Sequence, residues 1–213
     1  MTRTRDLRVI DRGGGMKTRL LRDIEVSEVG MGCMAFSHGY GQIPPEEYSV
    51  EAIRNAYRKG CTFFDTAEIY SPNLSGIGHN ERIVRKALHG VREQVVIATK
   101  LFLNGFEAIG RGSVYNAVRR HLEGSLKRLG TDWVDIYYLH RMGGVSVEKI
   151  EEAMGRLMED GLIRGWGLSQ VDVPVIQKAN RVTPLSAIQN IYSMVERDAE
   201  QCVIPYCLEN NIG

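Results

Sequence analysis

The stretch GMGCMAFSHGYG, residues 30–41, sits where the first buried-looking strand hands over to the first helix. In an open doubly wound sheet this turn should read GxGxxG, because those glycines let a pyrophosphate approach the helix N-terminus. The stretch lacks that fingerprint, and its glycines suit nothing more specific than a tight loop. The closed (β/α)8 barrel is therefore the expected architecture.

Outward from that turn the periodicity alternates. Short apolar runs read as buried strands at Val29–Met34, Thr62–Asp65, Val95–Lys100, Val134–His140, Ile163–Ser169 and Ala187–Ile191. Segments with helical spacing lie between them. Ile150, Ala153, Met154, Leu157 and Met158 form one apolar stripe. Ser113 suits a helix N-cap, Val118, Leu122, Leu126 and Leu129 continue that helix, and Gly130 ends it. The first helix should begin after Pro44-Pro45, with Glu46 and Glu47 complementing its dipole. Such alternation means βα units around a parallel sheet. The strands recur roughly every thirty residues, which gives about six units where a full barrel has eight in about 250 residues.

The chain has 213 residues, 43% of them hydrophobic and 25% charged, with a net charge of +1. That is an ordinary globular composition with scattered arginines, so no nucleic-acid partner is expected. No apolar run is long enough for a membrane span, and the N-terminus lacks the apolar core of a secretory signal. Cys33, Cys61, Cys202 and Cys207 form no CxxC unit, so reduced thiols and a cytoplasmic location are expected. The histidines show no metal-ligand spacing such as HExxH. Met1–Gly15 differs from the rest and ends in three glycines before Met16. It is expected to be a non-native or flexible leader, with the barrel domain at 16–213.

A barrel gathers its chemistry at the carboxyl ends of its strands. Those ends supply Asp65, Lys100, His140, Ser169 and Gln189, with Tyr70 in the loop after the second run. Taken singly, Asp65 reads as a turn cap, Lys100 as a solvated strand end, His140 as a half-buried histidine and Tyr70 as packing. Their conjunction at one mouth suits proton donation by a phenol. An ammonium beside a phenol lowers its pKa from about 10, a carboxylate keeps the ammonium charged, and a histidine orients a carbonyl oxygen.

FFDTAEIY, IATK and YLH at successive strand ends resemble the aldo-keto reductase family. GHNERIVRKAL, SLKRLGTDWVDIYYLH, GLIRGWGLSQ and IQNIYSMVER add to the resemblance, which runs from about Met16 to the C-terminus. GMGCM and HGYG are similar to its aryl-alcohol or general-aldehyde branch. The resemblance implies a metal-free (β/α)8 carbonyl reductase using NADPH/NADP on a small aldehyde or ketone. It implies Tyr70 as general acid, Lys100 and Asp65 as its tuning pair, and His140 as the carbonyl-orienting residue. Ser169 and Gln189 match residues that bond the nicotinamide carboxamide, and Met34 matches a loop lying against the cofactor. Gln170 stands where the family usually has Asn, one methylene longer. RMGG after His140 departs from the family's commoner loop.

The resemblance also implies that the aromatic ring against the nicotinamide and the basic residues gripping the 2′-phosphate belong to a part beyond residue 213. ENNIG reads as the approach to a seventh strand. The chain is thus expected to be a fragment with an open barrel edge, through which self-association is expected. A catalytically inactive fragment, or a non-enzymatic interaction or regulatory subunit, is the alternative reading.

Overall fold

A computed structural model describes residues 15–39, 41–73, 76–110 and 112–213. Most of the leader expected at Met1–Gly15, and Tyr40 of the HGYG stretch, lie outside the described residues.

Six strands form one all-parallel sheet in chain order: β3 (Met31–Gly32), β4 (Phe63–Asp65), β5 (Val96–Leu101), β6 (Val134–Leu139), β7 (Ile163–Ser169) and β8 (Ala187–Gln189). The helices between them are α1 (Glu46–Arg58), α2 (His79–Ala87), α3 (Gly105–Gly110), α4 (Val114–Leu129), α5 (Val147–Glu159) and α6 (Val173–Ala179), and α7 (Val203–Glu209) follows β8. This is the incomplete (β/α)8 barrel that the alternating periodicity predicts. The helix ends follow local chemistry. Ser113 Oγ accepts from Asn116 N at 3.1 Å, and Gly130 adopts the left-handed φ of 68° that closes α4.

One expectation needs correction. The apolar run at Val29–Met34 contributes only two paired residues, because Met34–Phe36 turn into a 3-10 helix and Val29 is exposed.

Alternation along the strands sorts side chains onto two faces. Ile97, Tyr137, Leu139 and Leu168 point outward into the main core under the helices. Phe63, Val96, Ala98, Ile136, Tyr138 and Ala187 point inward and meet Ile24 and Val26. The last two come from an antiparallel hairpin that the periodicity did not reveal, β1 (Thr18–Leu21) and β2 (Ile24–Ser27). Reciprocal bonds between Ser27 and Thr62, at 3.1 and 2.9 Å, fix it across the amino ends of the strands. The inner face is crowded. A Cβ on Gly167 would lie 2.4 Å from both the Ala187 carbonyl oxygen and the Tyr138 ring.

Gly213 takes a ladder position against β8, donating to Ser186 O at 2.9 Å and accepting from Ile188 N at 2.8 Å. The four cysteines are free. No described helix is long and apolar enough to cross a membrane.

Candidate active site

Because side chains two apart share a face, Phe63 and Asp65 both point into the barrel, as do Val96, Ala98 and Lys100. The same alternation carries Ile136 and Tyr138 on to His140, just past the end of β6. Parallel pairing aligns the strand ends, with Lys100 opposite Tyr138 and Ser169 opposite Gln189. The inward column is apolar near the hairpin and ionisable at the other end.

Lys100 is the hub of that end. It is fully buried, and its Nζ bonds the Asp65 carboxylate, Thr66 O at 2.8 Å and Tyr70 Oη at 3.3 Å. These three acceptors occupy the donors of an ammonium group. Asp65 Oδ2 accepts a second bond from Gln189 Nε2 at 3.0 Å. The Tyr70 and His140 rings meet edge to face with centroids 5.6 Å apart. His140 Nδ1 is buried without a hydrogen-bond partner among the described residues. The four residues expected to share one chemistry do share one site.

Their electrostatics differ from expectation in one respect. Burial pushes the Tyr70 phenol above its ordinary value, and the Lys100 charge recovers only part of that shift. The predicted net lowering is overturned because the phenol is almost wholly enclosed, so loss of water outweighs one neighbouring cation. Burial, followed by the Lys100 and Arg141 charges, pushes His140 down to about 4. His140 is therefore neutral at pH 7.

The other predicted residues divide. Ser169 and Gln189 are register neighbours at the mouth, and Ser169 Oγ accepts from Arg141 at 3.0 Å. One hydroxyl beside one amide offers a donor and an acceptor, which suits a planar carboxamide. Gln170 sits apart: its backbone takes a left-handed φ of 55° while its N–H bonds Gln189 O at 3.1 Å. Its side chain is exposed and bonds nothing among the described residues. Asn tolerates that conformation better than Gln, which is the physical cost of the longer side chain here. Met34 lies beside the Asp65 strand end, where Cys33 N bonds Asp65 O at 2.8 Å, and packs toward Gly39. Among the described residues no group of three or more His, Cys, Asp or Glu could hold a metal ion.

Sequence reasoning missed the support beneath Tyr70. Asn80 Nδ2 donates to Cys33 O and Ser37 Oγ, both at 2.8 Å, and Asn80 Oδ1 accepts from Thr66 Oγ1 at 2.6 Å. Its backbone N–H bonds Tyr70 O at 3.2 Å. One buried amide thus ties the loops after β3 and β4 to the start of α2. The only signal in sequence was its place inside GHNERIVRKAL, which assigns it no role.

A family model described as the Aldo/keto reductase family matches residues 28–213. A probable aldo-keto reductase 1 of Glycine max is 36% identical over 193 residues, covering 89% of this chain and 54% of the relative. An aldo/keto reductase of Klebsiella pneumoniae in complex with NADP and acetate superposes with a TM-score of 0.77 at 30% identity, over 93% of this chain and 66% of that one. The holo form of an aldo-keto reductase from Bacillus halodurans gives 0.78 at 28% identity, over 93% and 64%. This chain thus spans about half the length of its curated relative, and it belongs to the aldo/keto reductase family.

Proposed function

We propose that the chain carries the catalytic end of an NADPH-dependent reductase acting on small aldehydes or ketones. The observation that carries this reading is the Lys100 ammonium, bonded at once to a carboxylate and to a phenol that faces a neutral histidine. The NADP complex of the Klebsiella relative supports the choice of cofactor. Ser169 and Gln189 would hold the nicotinamide carboxamide, with Met34 alongside. Bound there, the reduced nicotinamide supplies the reducing equivalent.

The residues do the rest. Tyr70 accepts from Lys100, so its own proton is free for a carbonyl oxygen at the mouth. Lys100 stabilises the phenolate that remains, and Asp65 orients Lys100 toward it. Neutral His140 donates a hydrogen bond to the same oxygen without competing as the acid. The four free cysteines suit a reducing compartment, the cytosol.

The test is calorimetric titration of the 213-residue chain with NADPH, beside turnover of a nitrobenzaldehyde by wild type and Tyr70→Phe. Saturable binding, with turnover lost in Tyr70→Phe, is expected. Binding with undiminished turnover in Tyr70→Phe would remove the phenol from the chemistry.

A second reading, an interaction subunit that pairs with another copy through the segment after β8, is favoured by the exposed side chains of Ile191, Tyr192, Met194 and Val195 there. Sedimentation equilibrium separates the two: a concentration-dependent dimer without NADPH binding supports the second.

A further inference from the structure

Behind the site lies a buried charged cluster that the proposed chemistry does not use. Glu68 stands two residues before Tyr70, in the same loop, and is buried. Its Oε1 accepts from Phe102 N at 2.9 Å, two residues past Lys100. Its backbone N–H bonds Lys100 O at 3.2 Å. Its Oε2 meets His121 Nδ1 of α4 at 2.8 Å. One carboxylate therefore joins the Tyr70 loop, the segment after β5 and α4.

His121 faces a second carboxylate. Its Nε2 lies 3.2 Å from Glu107 Oε1 of α3, in ion-pair range though not aligned as a hydrogen bond. Further charges around it, among the described residues, come from α4 and α2. Arg128 of α4 lies 3.8 Å from Glu68 and 2.5 Å from Glu81 of α2, and Glu81 also accepts from Thr99 Oγ1 at 2.7 Å. The buried Tyr137 hydroxyl of β6 has no hydrogen-bond partner among the described residues.

We propose that Glu68 is a positioning residue for Tyr70, and that protonated His121 locks it by bridging Glu68 to Glu107. The inference rests on the reading of Tyr70 as proton donor and adds a regulation of that site. The argument is one of donor counting. An imidazolium has two N–H groups and can face two carboxylates, whereas a neutral imidazole has one N–H and turns a lone pair toward the other. With His121 neutral, the buried Glu68 and Glu81 share the Arg128 guanidinium, which lies closer to Glu81 than to Glu68. Burial alone lowers the His121 pKa, but Glu68 and then Glu107 outweigh it and raise it above the ordinary 6.5. The lock is thus fully present below pH 6.5 and is lost as pH rises through the raised value.

Two measurements on the free chain test this without cofactor or turnover. Carbon-bound proton NMR, assigned with His121→Asn, should show His121 titrating above 6.5. Amide hydrogen exchange, corrected for intrinsic rates, should show Phe102 protection being lost as pH rises through that titration. In Glu68→Gln, which keeps an acceptor for Phe102 N but loses the charge facing His121, the Phe102 protection should no longer change across that pH range. If Glu68→Gln does not fold, Glu107→Gln should bring the His121 titration down toward 6.5 while leaving the Phe102 bond intact at low pH. His121 titrating at or below 6.5, or Phe102 protection independent of pH, overturns the proposal. Undiminished turnover in Tyr70→Phe would instead overturn the chemistry while leaving the lock standing.

Discussion

Replacing Asp65 with Ala isolates the one interaction on which the whole site depends. Lys100 has no exposed surface, and after the change its ammonium keeps only two neutral acceptors, Thr66 O at 2.8 Å and Tyr70 Oη at 3.3 Å. Removing one partner of a buried ion pair typically costs about 3–5 kcal/mol, because the other charge is left uncompensated. The Asp65 side chain retains 15% exposure, so water reaches the mouth and the lower figure, about 3 kcal/mol, applies. For a chain of this length that lowers the melting temperature by about 6–12 °C. Asp65→Ala/Lys100→Met removes the stranded charge and should recover at least about 1 kcal/mol relative to Asp65→Ala, since an apolar replacement of a buried pair is often neutral. Urea unfolding of wild type, both single variants and the double variant closes the cycle. A loss below about 1 kcal/mol in Asp65→Ala, or a double variant as unstable as the sum of the singles, would refute a buried Lys100 charge that needs Asp65.

Two further outcomes follow from particular contacts. His140 is depressed to about 4 from 6.5, so between those pH values the unfolded chain binds a proton that the folded chain refuses, and stability must rise with pH. Discounted for solvent at the mouth, the contribution is about 2 kcal/mol, and wild type should lose that much more than His140→Gln between pH 7 and pH 4 in urea melts; equal losses would contradict it. Gly167→Ala places a methyl 2.4 Å from both a β8 carbonyl oxygen and the Tyr138 ring, so overpacking of about 2 kcal/mol and a melt about 4–8 °C lower are expected. An unchanged melt would mean the inner layer is not packed that closely.

The strand ends were readable because a period-two pattern fixes the face of each side chain once the apolar members are known. Val96 and Ala98 announce the face of Lys100, and Phe63 announces that of Asp65. The hairpin was not readable for a local reason. Its turn runs through Arg22 at a φ of 55°, where Gly or Asn would have signalled a turn, and each strand is only four residues long. Asn80 was hidden in the same way: beside Gly78 and His79 it reads as a helix start, and only folding brings it to Cys33, Ser37 and Thr66. The sign of the Tyr70 shift was out of reach because it depends on how deeply the phenol is enclosed, a sum over several loops.

That sum also bears on the proposed choice of acid. At pH 7 His140 is not an imidazolium, since its pKa is about 4, which under the proposed reading leaves the phenol as the acid. The same Lys100 charge acts on both groups, pulling the phenol down against burial and pushing the imidazole further down. Lys100→Met separates the two causes. If the cation acts as described, the variant's Tyr70 titrates at higher pH than in wild type, while His140 moves up toward 6.5. Had the variant merely opened the site to water, His140 would still rise, but Tyr70 would fall toward 10. The imidazole rises either way, so the phenol decides. Tyrosinate absorbance of Lys100→Met, differenced against Lys100→Met/Tyr70→Phe, gives its direction. A fall toward 10 would mean that Lys100 held the site closed and did not tune its acid.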